Sequence, residues 1–179
     1  MARQIDREKK KDRILQAAMR LFARRGIADT KMEDVAKAAG IAKGTIYEYF
    51  KNREELLHLS FNYLLVLMNK LVRRRMSETE DPEQKIKAGF LAYLDVGSLQ
   101  IEDYVEILPD LWGHGLRQKE SDGDLEFDPG WIYHQYREQF SRALKQGIEN
   151  GLFRDIDIES TASAIIAAGD GFYLQWMSD

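Results

Sequence analysis

Residues 30–57 read TKMEDVAKAAGIAKGTIYEYFKNREELL, and the fold is decided here. Thr30-Lys-Met-Glu33 has the spacing of a capping box, a hydroxyl answered three residues later by a glutamate. The helix it opens buries Val35, Ala36 and Ala39 and stops at Gly40. Ile41-Ala42 makes a tight connection, and Lys43 to Phe50 forms a third, short helix. That helix contains Gly44, Thr45 and Ile46, all poor helix formers, in a chain otherwise rich in Ala, Leu, Glu and Lys. Two short helices joined by a glycine-containing turn match the helix-turn-helix pattern.

At about 100° per residue, Ile46 and Phe50 share one face and anchor the short helix to a core. Lys43 and Tyr47 project together on another side, with Thr45 near the N-terminal tip. These residue types suit a DNA major groove. Lysine reaches guanine O6 and N7, and a threonine methyl meets a thymine methyl. Gly44 lets the backbone come close to a phosphate or base edge. Tyr47, Tyr49, Lys31, Lys51 and the backbone N–H groups at Thr30 are candidate phosphate contacts, which fix register rather than sequence. The same pattern also fits an amphipathic helix after a glycine turn that does nothing but pack.

Charge divides the chain at the same place. Residues 1–53 hold 14 Lys+Arg against 7 Asp+Glu, a net +7, and the remaining 126 residues hold 12 against 23, a net −11. A basic part beside an acidic one suggests a polyanionic partner for the first. Aromatics divide as well, with 4 of 19 before residue 54. We therefore expect two domains: a DNA-binding head over 1–53 and a larger helical domain over 54–179. The absence of cysteine excludes disulfides and thiolate metal sites and fits a reducing cytoplasm. The charged start MARQIDREKKKDR lacks the apolar core of a secretion signal, and no window is apolar enough to span a membrane.

Periodicity of 3.6 recurs throughout and proline is scarce, so the expected class is all-α. The first helix is expected over about Asp6–Arg25, with Ile14, Ala17, Ala18, Leu21 and Phe22 as its apolar stripe and Gly26 as its stop. A fourth starts at Asn52, with Glu55 completing a cap, and runs to about Arg75. Asp81-Pro82 opens a fifth, continuing to about Ser98. Residues 101–115 read as a helix broken near Pro109, and 116–130 as a polar loop. Two final helices follow over about 131–149 and 158–178, separated by Asn150-Gly151.

The 30–57 string, with LQAAMRLFARRG before it, resembles the N-terminal domain of the TetR family of transcriptional regulators. Gly26, Gly40, Gly44, Tyr47, Phe50 and Leu56 all stand where that family's signature has them. Ala42 departs from its usual serine, removing a side-chain cap. Lys31 departs from a Thr or Ser, and Arg53 from a lysine, which keeps a cation near the DNA backbone. The resemblance implies that the remainder binds a small inducer and dimerises through its last two helices.

Positions in that remainder come from the residues themselves. Helix 131–149 carries Trp131, Tyr133, Tyr136, Phe140 and Leu144. Helix 158–178 carries Ile165, Ile166, Phe172 and Trp176 above a run of Ala and Gly that admits a close neighbour. We assign Tyr136, Phe140, Ile166, Phe172 and Trp176 to a homodimer interface, so that two heads about 34–36 Å apart read a palindrome. Phe61, Phe90, Tyr93, Tyr104, Trp112 and His134 are candidate walls of a pocket for a hydrophobic or aromatic ligand, although for any one of them core packing is the commoner role. Asp95, Glu102, Asp103 and Glu106 would favour a cationic aromatic ligand. No cofactor and no metal site are expected.

The expected function is a homodimeric, sequence-specific repressor released from its operator by a small effector. An enzyme would need convergent catalytic groups, and the sequence offers no nucleophile motif, metal-ligand spacing or phosphate loop. The alternative is a protein-interaction adaptor whose basic head has no sequence preference for DNA.

Overall fold

The computed structural model describes residues 2–95 and 129–178. Among them run seven helices: α1 (Ala2–Arg25), α2 (Met32–Ala38), α3 (Lys43–Ile46), α4 (Arg53–Ser77), α5 (Pro82–Leu94), α6 (Pro129–Glu149) and α7 (Ile158–Ser178). The class is all-α, with no strand among the described residues. Residues 2–65 belong to one compact unit; residues 66–95 and 129–178 belong to a second. Of the sequence expectations, Tyr104, Trp112, Glu102, Asp103, Glu106, the broken helix at 101–115 and nearly all of the 116–130 loop lie outside the described residues.

The first unit is built around α1, whose Ile14, Leu15, Ala17, Ala18, Met19 and Phe22 are buried. Buried in the same unit are Met32, Val35, Ala36 and Ala39, then Ile46 and Phe50, then Leu56, Leu57, Phe61 and Leu64 of α4. Each large apolar side chain contributes roughly 1.5–3 kcal/mol on burial. Two glycines make the turns possible. Gly26 ends α1 at φ 81°, its amide donating to Phe22 O at 2.8 Å. Gly40 sits at φ 66°; its N–H donates to Lys37 O, and the Ile41 N–H reaches Ala36 O at 3.0 Å. This is a Schellman closure, which needs a left-handed residue where Gly40 stands.

The α4 cap is the one expected. Asn52 Oδ1 accepts the Glu55 N–H at 2.8 Å, and the Lys51 N–H donates to the Glu55 carboxylate.

In the second unit Asp81 caps α5, accepting the Gln84 N–H at 2.9 Å, with Pro82 in the first turn. Helices α5, α6 and α7 pack on one another. A Cβ at Gly89 would stand 2.8 Å from Met76 side-chain atoms and 3.1 Å from the Phe140 ring, so glycine sets that close approach. Asn69 of α4 and Gln139 of α6 form a buried side-chain hydrogen bond of 2.7 Å. Gly151 closes α6 at φ 71°, as expected of the Asn150-Gly151 stop. Asp157 then starts α7, accepting the Ser160 N–H and hydroxyl at 3.1 and 2.7 Å. Those bonds hold its carboxyl below the usual range.

Several boundaries differ from expectation. Helix α1 starts at Ala2, α5 ends at Leu94, and α6 already begins at Pro129. Helix α3 stops at Ile46 instead of Phe50: the amides of Tyr47, Glu48 and Tyr49 bond three residues back, tightening the chain before Phe50 returns to Ile46 O at 3.0 Å. Thr30 is not a cap. The cap position of α2 is Lys31, which makes no side-chain capping bond, and Thr30 turns its hydroxyl backward to donate to Gly26 O at 2.9 Å.

Candidate functional sites

In the first unit the anchors and the exposed side chains separate as the wheel requires. Ile46 and Phe50 are buried, while Tyr47 is 51% exposed. Lys31, Lys43, Gly44 and Lys51 are exposed, and Thr45 is half-buried. A Cβ at Gly44 would meet no atom within 4 Å, and Gly44 has no positive φ. Nothing in the fold therefore demands glycine there. The Lys43 ammonium donates to the Glu33 carboxylate of α2 at 2.7 Å. The pair raises the lysine and lowers the glutamate in pKa. Both groups are solvated, so the bond orients Lys43 more than it stabilises the fold.

Other candidates have structural duties. Thr30 is 1% exposed and its N–H already bonds to Ile27 O, so it shapes the α1–α2 turn and presents no surface to a phosphate. Arg53 is likewise committed to that turn, donating to Ile27 O and Ala28 O at 3.2 and 2.8 Å. Tyr49 is half-buried, with the Arg7 guanidinium 5.7 Å from its ring centre. It lines a groove of about 750 Å³ together with Lys10 and Glu48.

In the second unit the sequence candidates disperse. Phe90 and Tyr93 lie on α5. His134 of α6 is exposed. Phe61 is buried in the first unit. Of the residues assigned to a dimer interface, Tyr136, Phe140 and Ile166 are 2%, 1% and 4% exposed. They form the unit's own core, because the apolar stripe of α6 is consumed by α5 and α7. Phe172 and Trp176 are 57% and 64% exposed, alongside Leu174 at 62%. Ala164, Ala167 and Ala168 of α7 are exposed as well.

A cluster that the sequence reading missed joins three helices. The Tyr93 hydroxyl donates to Asp170 Oδ1 at 2.5 Å, and the Tyr133 hydroxyl to Asp170 Oδ2 at 3.1 Å. The Tyr136 ring meets the Tyr93 ring edge-on, centres 4.9 Å apart. Gly169 makes room: a Cβ there would stand 2.7 Å from the Tyr93 ring. The one available signal was an aspartate inside the otherwise apolar and small run of α7. Burial first, then the Asp170 charge, pushes Tyr93, Tyr133 and Tyr136 far above the ordinary phenol range.

These phenols keep their protons in the folded chain while those of an unfolded chain ionise near about pH 10. The folded state then binds more protons, so this contribution to stability is intact below about pH 10 and shrinks as pH rises above it. Urea midpoints between about pH 9 and 11 should fall accordingly. The ultraviolet phenolate signal of the three residues should appear only with unfolding.

A family model described as bacterial regulatory proteins, tetR family, matches residues 14–59. The chain is 29% identical over 175 residues to the HTH-type transcriptional regulator TtgR of Pseudomonas putida, covering 92% of this chain and 78% of that one. Residues 14–59 are a TetR-family domain. Among solved structures of that fold, the fatty acid degradation regulator FadR of Bacillus halodurans superposes with TM-score 0.70 at 26% identity, over 94% of this chain and 84% of that one. A TetR transcription regulator from Haloarcula marismortui superposes with TM-score 0.78 at 20% identity, over 96% and 87%. TetR-family relatives are transcriptional regulators, so the chain is a DNA-binding regulator and not an enzyme.

Proposed function

We propose that the chain is a homodimeric repressor that reads a palindromic operator through the surface after Gly40 and is released by a small effector held in the second unit. The observation that carries the reading is the division at α3. Ile46 and Phe50 are buried while Lys43, Gly44 and Tyr47 face solvent, and no packing constraint accounts for Gly44. Lys43 contacts base edges and Gly44 admits the backbone. Thr45 and Tyr47 complete the reading surface, and Lys31, Tyr49 and Lys51 hold phosphates. The head spans 1–53 and the effector and dimerisation domain 54–179, with the cytoplasm as its compartment.

The dimer surface is the exposed face of α7, including Phe172, Leu174 and Trp176. Small residues there admit a second helix closely, and exposed apolar area of this kind marks an interaction site. The long α4 supplies residues to both compact units. A shift of α4 on effector binding therefore changes the separation of the two heads. Cross-linking the heads rigidly should abolish release by effector; release that survives the cross-link would refute this coupling.

Replacing Lys43 with Ala tests the reading surface. The side chain is exposed and pairs only with the solvated Glu33 carboxylate among the described residues, so melting should be unchanged. Operator affinity should fall by about tenfold, with relaxed preference at the contacted base. Anisotropy titrations against operator and scrambled duplex measure both. A uniform loss on the two duplexes would make Lys43 a phosphate contact.

A further inference from the structure

We propose that the cluster of Asp170, Tyr93, Tyr133 and Tyr136 recognises a protonated organic amine. This deepens the reading of the second unit as an effector domain and rests on it. Asp170 of α7 is half-buried, and no Lys, Arg or His nitrogen lies within 4.0 Å of it among the described residues. Its two bonds come from neutral phenols. A carboxylate has about four lone-pair positions, so acceptor capacity is left over.

Tyr136 supplies an independent sign. It is 2% exposed, its hydroxyl has no hydrogen-bond partner among the described residues, and it feels the charges of Asp170 and Tyr133. Buried polar groups are nearly always satisfied, so an orphaned hydroxyl in the cluster that holds Asp170 leaves an acceptor position for a missing donor. An ammonium N–H provides that donor to both oxygens, and its charge supplies the counter-ion that Asp170 lacks. Phenol rings also attract a cation held at their faces. An anionic ligand would meet the Asp170 charge, and a neutral hydroxyl would satisfy the bonds but not the charge. Gly169 belongs to the same device, because any side chain there would displace the Tyr93 ring.

The experiment is calorimetric titration of the full chain with methylammonium, butylammonium and phenethylammonium, alongside phenethyl alcohol and phenylacetate. At least one ammonium should bind at least tenfold more tightly than the alcohol, and phenylacetate should not bind. Asp170→Asn should weaken the ammonium at least tenfold, and Tyr136→Phe severalfold. If Asp170→Asn unfolds the domain, Tyr136→Phe carries the test, since it removes an oxygen that bonds to nothing. The proposal is overturned if no ammonium binds, if the alcohol binds equally well, or if both variants bind as the parent does. Calorimetry involves no DNA, so the two readings fail separately. A chain that reads an operator but ignores every ammonium overturns only this inference. One that binds ammonium but no operator supports the inference and overturns the repressor reading.

Discussion

Phe50→Ala is expected to destabilise the first unit by about 3–5 kcal/mol, the usual cost of deleting a fully buried aromatic. Phe50 is 1% exposed and, with Ile46, is the buried anchor of α3 and the turn that follows it. A helix of four residues has no stability of its own, so its orientation comes wholly from those anchors. Operator binding should be lost in proportion to the unfolded fraction, and lowering the temperature should recover part of it. Tyr47→Ala, on the same turn but 51% exposed, should change stability by less than about 0.5 kcal/mol while weakening DNA binding. Urea unfolding paired with DNA titration separates the two. If Phe50→Ala melts like the parent, the recognition surface is held by something other than this packing.

The second large effect is Phe140→Ala, also about 3–5 kcal/mol. Phe140 is 1% exposed and its ring is one of the atoms that a Cβ at Gly89 would strike. Its loss should unfold the second unit at every protein concentration, because it belongs to a core within the subunit. Trp176→Ala should do the reverse. At 64% exposure it should leave the subunit's secondary structure intact and shift the mass measured by sedimentation toward monomer. A concentration-dependent defect in Phe140→Ala, or a monomeric collapse in Trp176→Ala, would exchange their roles.

The head was legible in sequence because each of its signals is local. Gly26 and Gly40 are needed for left-handed turns, Asn52 and Glu55 cap α4, and Ile46 and Phe50 repeat at four residues. Thr30 was misread because its hydroxyl has two local options, forward to the α2 amides or backward to Gly26 O, and burial against the core decides for the second. Arg53 has a further role that no local pattern encodes: its guanidinium donates to the carbonyls of Ile27 and Ala28.

In the second unit periodicity identified the buried face of α6 but not what covers it. Tyr136 and Phe140 suit a partner subunit or a neighbouring helix equally, and α5 and α7 are the ones that take them. The Asp170 cluster joins residues 37 and 77 positions apart, a juxtaposition that no local pattern encodes.

Selection of bound sequences from a random duplex pool tests the central claim most directly. It should be run with the purified chain at about 150 mM salt, where non-specific phosphate binding is suppressed. The account predicts a recovered palindrome whose half-sites are about one helical turn or a multiple of it apart, with preference relaxed at the contacted base when Lys43→Ala replaces the parent. A pool that remains random with the folded parent chain would contradict it, leaving the basic head as a surface for phosphates or acidic proteins alone.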